Sequence, residues 1–205
     1  ENPVSHQDLD YVRQSIVNGQ DIVDEQSYDD VYTYHAGATL RIKQKKQLTG
    51  VKDYSRYTDY ETACVGVRYT DSNGGWERVS FTSQSDGVSI TKISASDTGS
   101  KINATLSMDN ISSMANFGKG NEVDLRYKKL VDSNADALTF IAHYPDYENS
   151  ELNEGGYATV CYVVCEGGSK ERVTNKMPKD SQYVGQDNPA IAVSDADNVY
   201  IISVS

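Results

Sequence analysis

Ile102-Asn103-Ala104-Thr105-Leu106-Ser107-Met108 alternates an apolar or small side chain with a polar one at every step. A period of two marks an extended strand with one packed and one wet face, because successive Cβ atoms point to opposite sides of the pleat. Outward from this stretch the same pattern recurs. Residues 63–69 and 76–81 read as strands, and Asp71-Ser72-Asn73-Gly74-Gly75 between them supplies the positive-φ-tolerant residues of a hairpin turn. Residues 138–144 and 157–165 are denser in apolar side chains and are expected as central strands covered on both faces. The polar stretch 146–156 reads as a long exposed loop. Asn198-Val199-Tyr200-Ile201-Ile202-Ser203-Val204-Ser205 is a further strand, and residues 86–94 resemble 197–205 as a turn pair feeding a strand.

Only one segment reads as a helix. Ser5-His6-Gln7-Asp8 has capping-box spacing, Leu9, Val12 and Ile16 recur at helical intervals, and Asn18-Gly19 is a stop, giving a helix over 5–18. Residues 112–120, with two glycines and no periodicity, read as a loop. The fold class expected is all-β and mainly antiparallel: a two-layer β-sandwich, Ig-like or jelly-roll-like, with one N-terminal helix. Residues 1–30 are expected as an acidic helix and arm, and residues 31–205 as a single sandwich domain.

The chain has 205 residues with 30 acids against 19 bases, a net charge of −11, which argues against a nucleic-acid binder. No apolar run approaches the roughly 18 residues of a membrane-spanning helix. Charge is uneven: residues 1–30 hold eight acids against Arg13, whereas Arg41, Lys43, Lys45, Lys46, Lys52 and Arg56 face only Asp53 within residues 31–56. The favoured reading is an acidic solvated helix beside an edge strand protected by its cations; pairing of the two blocks within or between copies is the alternative. With 15 Tyr, 3 Phe and 1 Trp, the composition argues against a sugar cleft built on several indoles, although Tyr substitutes in part. The chain opens Glu1-Asn2-Pro3-Val4 without Met, which is expected to reflect processing or trimming.

Candidate chemistry is sparse. Cys161 and Cys165 share a strand face but lie about 13 Å apart, too far to bridge; Cys64 could reach one of them across the sheets, and reduced, buried thiols are the favoured reading. His6, His35 and His143 are scattered, and no Gly-x-Ser-x-Gly elbow, His-Glu-x-x-His pair or phosphate loop occurs. Asp132-Ser133-Asn134-Ala135-Asp136 opens like a calcium loop but continues with Ala137 and His143 where Gly and Glu are needed, so it reads as a turn, as does Asp195-Ala196-Asp197-Asn198. Asn103-Ala104-Thr105 and Asn110-Ile111-Ser112 fit the glycosylation sequon. No catalytic, metal or cofactor site is expected.

The leading functional expectation is a non-enzymatic structural subunit of a repeating assembly, a virion capsid or decoration protein or an extracellular filament. Its partners would be copies of itself and other structural proteins. Assembly contacts are expected at Val199, Tyr200, Ile201 and Ile202, whose strand could complete a neighbour's sheet, and at Arg41, Lys43 and Lys45. The alternative is a secreted carbohydrate-binding or adhesive module, with Tyr144, Asp146, Tyr147 and Tyr157 as its glycan-binding loop. A hydrolase or lyase on a sandwich scaffold ranks third. Ala137-Leu138-Thr139-Phe140-Ile141-Ala142-His143-Tyr144-Pro145 also looks like the strand ending in Tyr-Pro of fimbrillin-type pilus subunits. So short a likeness carries over no functional position and assigns no family.

Overall fold

The computed structural model describes residues 14, 17, 18, 38–97, 99–109, 128–143, 155–177, 179 and 185–205. Two compact units divide the chain, Glu1–His35 and Ala36–Ser205. In the first, Gln14 and Val17 are helical and the Asn18 amide donates to the Gln14 carbonyl. The remainder of the helix expected over 5–18, the loop expected over 112–120, His6, His35 and Asn110 lie outside the described residues.

The second unit is a β-sandwich. Its strands are β1 (Thr39–Gln44), β2 (Lys52–Asp59), β3 (Cys64–Asp71), β4 (Gly74–Ser83), β5 (Val88–Ala95), β6 (Ile102–Asp109), β7 (Lys128–Ser133), β8 (Ala137–His143), β9 (Gly156–Glu166), β10 (Ser169–Lys176), β11 (Asp187–Ala196) and β12 (Asn198–Val204). One sheet has four strands in the order β1-β6-β11-β10, and the other has eight in the order β2-β3-β4-β5-β12-β9-β8-β7. Every pairing is antiparallel. The expected two-layer, all-β architecture is therefore the observed one.

The alternation in 102–108 becomes β6, whose Ile102, Ala104, Leu106 and Met108 all enter the core. They meet Leu138, Phe140, Cys161, Val163, Val199 and Ile201 from the wider sheet, all nearly or fully sealed from solvent. Burying a Leu or Ile side chain contributes about 1.5–3 kcal/mol, so this contiguous layer supplies most of the sandwich's cohesion. Strands β8 and β9 lie inside the sheet, but they are not covered on both faces as expected. Tyr162 and Val164, which alternate with Cys161, Val163 and Cys165, are exposed, so the wide sheet packs through one face there. Three thiols are free: Cys161 buried, Cys64 and Cys165 half-buried.

Strand β12 is central. It pairs with β5 along one edge and with β9 along the other, and Val199 and Ile201 point into the core. The two similar segments noted in the sequence thus lie side by side, Ser94 opposite Asn198 and Ser89 opposite Ser203. Both hydrogen-bonding edges of Val199, Tyr200, Ile201 and Ile202 are already used within the chain. That strand has no edge with which to complete a neighbour's sheet. By contrast, β1 and β2 are outermost in their sheets, so Arg41, Lys43, Lys52 and Arg56 fall on edge strands, while Lys45 and Lys46 follow β1. Arg41 nonetheless turns to a fully buried carboxylate, its Nε 2.6 Å from Asp109 Oδ1. Breaking so buried a pair leaves an uncompensated charge.

Two changes of sheet interlock. The chain passes from β11 to β12 through Asp197 alone, helped by a register shift between Val193 and Ala196 and by positive φ at Asp195. Asp197 donates its amide to the Glu166 carbonyl and accepts from the Ala95 amide, while Lys101 Nζ lies 2.5 Å from its carboxylate. At the β9–β10 turn, a Cβ on Gly168 would lie 2.1 Å from the Ser194 carbonyl oxygen, so only glycine fits.

Deleting residues 199–205 removes a central strand rather than a terminal tail. The truncated chain is expected to lose cooperative unfolding and near-ultraviolet circular dichroism. A truncated protein that keeps a sharp thermal transition would contradict the central placement. Ile201→Ala, a smaller insult, should cost about 2–5 kcal/mol in urea denaturation.

Candidate functional site

The two sheets differ in width, and the difference opens a groove. On the inner face of the wide sheet, Arg56 of β2 is opposite Val67 of β3, which is opposite Arg78 of β4, which is opposite Ile93 of β5. The next rows are Thr58, Val65, Ser80 and Thr91 on one side, and Tyr69, Trp76 and Ala95 on the other. Past Ile93 the same face turns apolar and closes against the narrow sheet. Over β2, β3 and β4 it faces only the edge strand β1, through the half-buried Leu40 and Ile42.

Between these surfaces run two stretches of cavity of about 730 Å³ and 690 Å³ that share Ile42, Val67 and Arg78 and so form one continuous cleft. Single binding clefts for small ligands have volumes of this order. Arg78 stands at the junction. Beyond it, one arm leads over Arg56, Thr58, Ser80 and Thr91, and the other over Tyr69, Trp76, Ser100 and Lys101. Ser80 and Thr91 share a hydroxyl hydrogen bond of 2.8 Å. Gln44 reaches across from β1, donating Nε2–H to the Tyr69 hydroxyl at 3.0 Å.

Loop chemistry closes one end. The β3–β4 hairpin turn receives residues 45–51: the Ser72 amide donates to the Thr49 carbonyl, the two side-chain hydroxyls lie 2.6 Å apart, and Asn73 Nδ2 donates to the Gln47 carbonyl. From the other side, Ser100 and Ser96 press on Gly74 and Gly75, where a Cβ would meet their hydroxyls at 2.0 and 2.2 Å. Inside this knot Asp71 Oδ1 accepts from the Trp76 indole at 3.0 Å and from the Asn73 amide at 2.7 Å. Desolvation pulls the Asp71 carboxyl upward, but donation from Trp76, Asn73 and the Gly74 amide outweighs it and holds the group below the ordinary aspartate range.

The residues singled out in the sequence fare unevenly. Lys43 lines the groove, and the Lys45 amide pins the end of β1 to the Asn103 carbonyl at 2.9 Å. Tyr157 stacks on the buried Phe140, ring centroids 6.1 Å apart, so it packs the core side of β9. Tyr144, Asp146 and Tyr147 lie outside the described residues. The acidic turn at 132–136 is built by Asn134 Oδ1 accepting from the Asp136 and Ala137 amides, and Asp132 and Asp136 engage Arg172 and Lys170. Among the described residues no three His, Cys, Asp or Glu side chains gather where they could hold a metal ion. Sequence reading missed Arg56, Tyr69, Trp76, Arg78, Ser80 and Thr91. Their shared face was implicit in the spacing of Trp76, Arg78 and Ser80, two apart on one strand.

The model of the glycosyl hydrolase family 65 N-terminal domain matches residues 2–203, and the chain belongs to that family. No curated protein matches the chain. Membership corrects the functional expectation: a carbohydrate-active, glycosidase-related protein replaces the virion capsid, decoration or filament subunit. The expectation of a non-enzyme is corrected in part, since the matching domain is that of a glycosyl hydrolase family.

Because the folded-state value of Asp71 lies below its unfolded value near 3.9, its contribution is fully present above about pH 4 and is lost as pH falls further. Asp71→Asn should therefore lose less stability than the parent as pH falls below about 4, measured by urea unfolding. Equal acid slopes would show that Asp71 is not the group responsible.

Proposed function

We propose that this chain is a non-catalytic, sugar-recognising module of a glycosidase, and that the groove beside β1 is where it meets saccharide. The observation that carries the reading is the inner face of β2, β3 and β4. There, in a family of carbohydrate-active proteins, guanidinium, hydroxyl and aromatic groups occupy positions that a closed sandwich would fill with aliphatic side chains. Sugar recognition calls for these components: hydroxyl and charged hydrogen-bond partners for the ring substituents, and an aromatic or apolar wall for the ring faces. The family's description as an N-terminal domain supports a supporting role beside a catalytic body.

Trp76 is the only tryptophan, it is nearly buried, and it lines the groove, so its fluorescence reports occupancy there without a label. Titration of the chain with a panel of neutral and charged oligosaccharides should shift that emission saturably for at least one class. Incubation with aryl glycosides should release no aglycone. Turnover by the isolated chain would overturn the non-catalytic role, and an unchanged Trp76 signal across the whole panel, confirmed by calorimetry, would overturn the groove as a sugar site.

A further inference from the structure

We infer that the groove selects saccharides carrying an anionic substituent, a uronic acid carboxylate or a sulfate ester, gripped between Arg56 and Arg78. The inference rests on the sugar-recognition reading and narrows its ligand. Arg56 and Arg78 are both opposite Val67, one on each neighbouring strand, so they project from the same face about two strand spacings, roughly 10 Å, apart. Among the described cations, Arg41, Lys101, Lys170, Arg172 and Lys176 are ion-paired with carboxylates. Neither Arg56 nor Arg78 has an ion-pair partner among the described residues.

The carboxylates nearest the groove are engaged elsewhere. Glu77 alternates with Arg78 and so projects from the opposite face of the sheet, where its Oε1 accepts from the Tyr57 hydroxyl at 3.3 Å. Asp195 Oδ1 accepts from Asn103 Nδ2 at 3.2 Å. The concave face therefore carries net positive charge inside a protein of net −11, and the field that would repel an acidic ligand elsewhere reverses here. Guanidinium suits the role because its fork donates two parallel hydrogen bonds to a carboxylate or sulfate, and it stays charged at any working pH. Thr58, Ser80 and Thr91, one row along the same strands, offer hydroxyls to the neutral ring positions beside the anion.

The test titrates the complete chain with oligogalacturonate, with a sulfated galactan oligosaccharide and with a neutral cello-oligosaccharide of equal length, reading Trp76 emission and heat. At least one anionic ligand should bind about tenfold or more tighter than the neutral one, and the two anionic arms identify whether carboxylate or sulfate is preferred. Raising the salt should erode that preference. Arg56→Gln and Arg78→Gln should each reduce it about tenfold, whereas Arg68→Gln, one residue along β3 from Val67 and on the opposite face, should leave it unchanged. The substituted arginines are exposed, and a thermal melt verifies that each variant is folded. Equal affinity for the neutral ligand would overturn the anionic preference and leave sugar recognition standing. Binding of no saccharide would overturn both. Equal binding of polyglutamate would show a charge patch without sugar selectivity, and so overturn the inference too.

Discussion

Between Ala196 and Asn198 a single residue carries the chain from the narrow sheet to the wide one, and the placement of both sheets depends on how that residue is held. A strand normally changes layers through a loop, whose backbone groups water can satisfy. Here Asp197 has its amide and carbonyl taken by Glu166 and Ala95, backbone from the strands on either side, and its carboxylate held by Lys101. Positive φ at Asp195 and the shift in register before it provide the bend. Gly168 allows the β9–β10 crossing to come within backbone contact of the same corner. Once the corner is fixed, β12 can enter only between β5 and β9.

That entry sets the width of the wide sheet, and the width makes the groove. The core forms where β5, β12, β9 and β8 lie under the four-stranded sheet, with Phe140, Val163 and Ile201 sealed between the layers. Strands β2, β3 and β4 extend beyond that cover. Their inner-facing positions were free to become polar because only the edge strand β1 stands opposite them, so Arg56 and Arg78 stay exposed to water rather than desolvated and unpaired. The proposed sugar-binding role joins two separate observations, the family to which the chain belongs and the cleft beside β1.

Much of the fold was legible because it rests on local rules. The alternation from Ile102 to Met108 and the turn residues Asp71 to Gly75 each specify their element without reference to distant parts of the chain. What depends on partners far away in sequence was not legible. Alternation in 198–204 shows which side chains share a face but not whether the strand's edges are occupied, so a central strand was read as a free one. Tyr157 was read as a ligand residue because nothing local announces Phe140 beneath it. Arg78 illustrates the same limit for the site. Its spacing from Trp76 and Ser80 is plain, but only the register with β3 and β5 reveals that the face continues into a core and that this part of it lies uncovered. The family was illegible for a different reason: it is carried by the whole length of a sandwich without a short catalytic motif.

The uncovered ledge also separates two kinds of selection. In most small domains the residues that recognise a ligand share neighbours with those that hold the protein together, so a new specificity is gained at the expense of stability. Arg56 and Thr58 lie on the edge strand β2, anchored by backbone pairing with β3 and separated by β3, β4 and β5 from the strand that carries Ile201. Substitutions well separated from a core tend to add independently of it. Descendants of such a scaffold can rewrite the side chains of the ledge while the corner at Asp197 and the packed layer beside it are inherited unchanged.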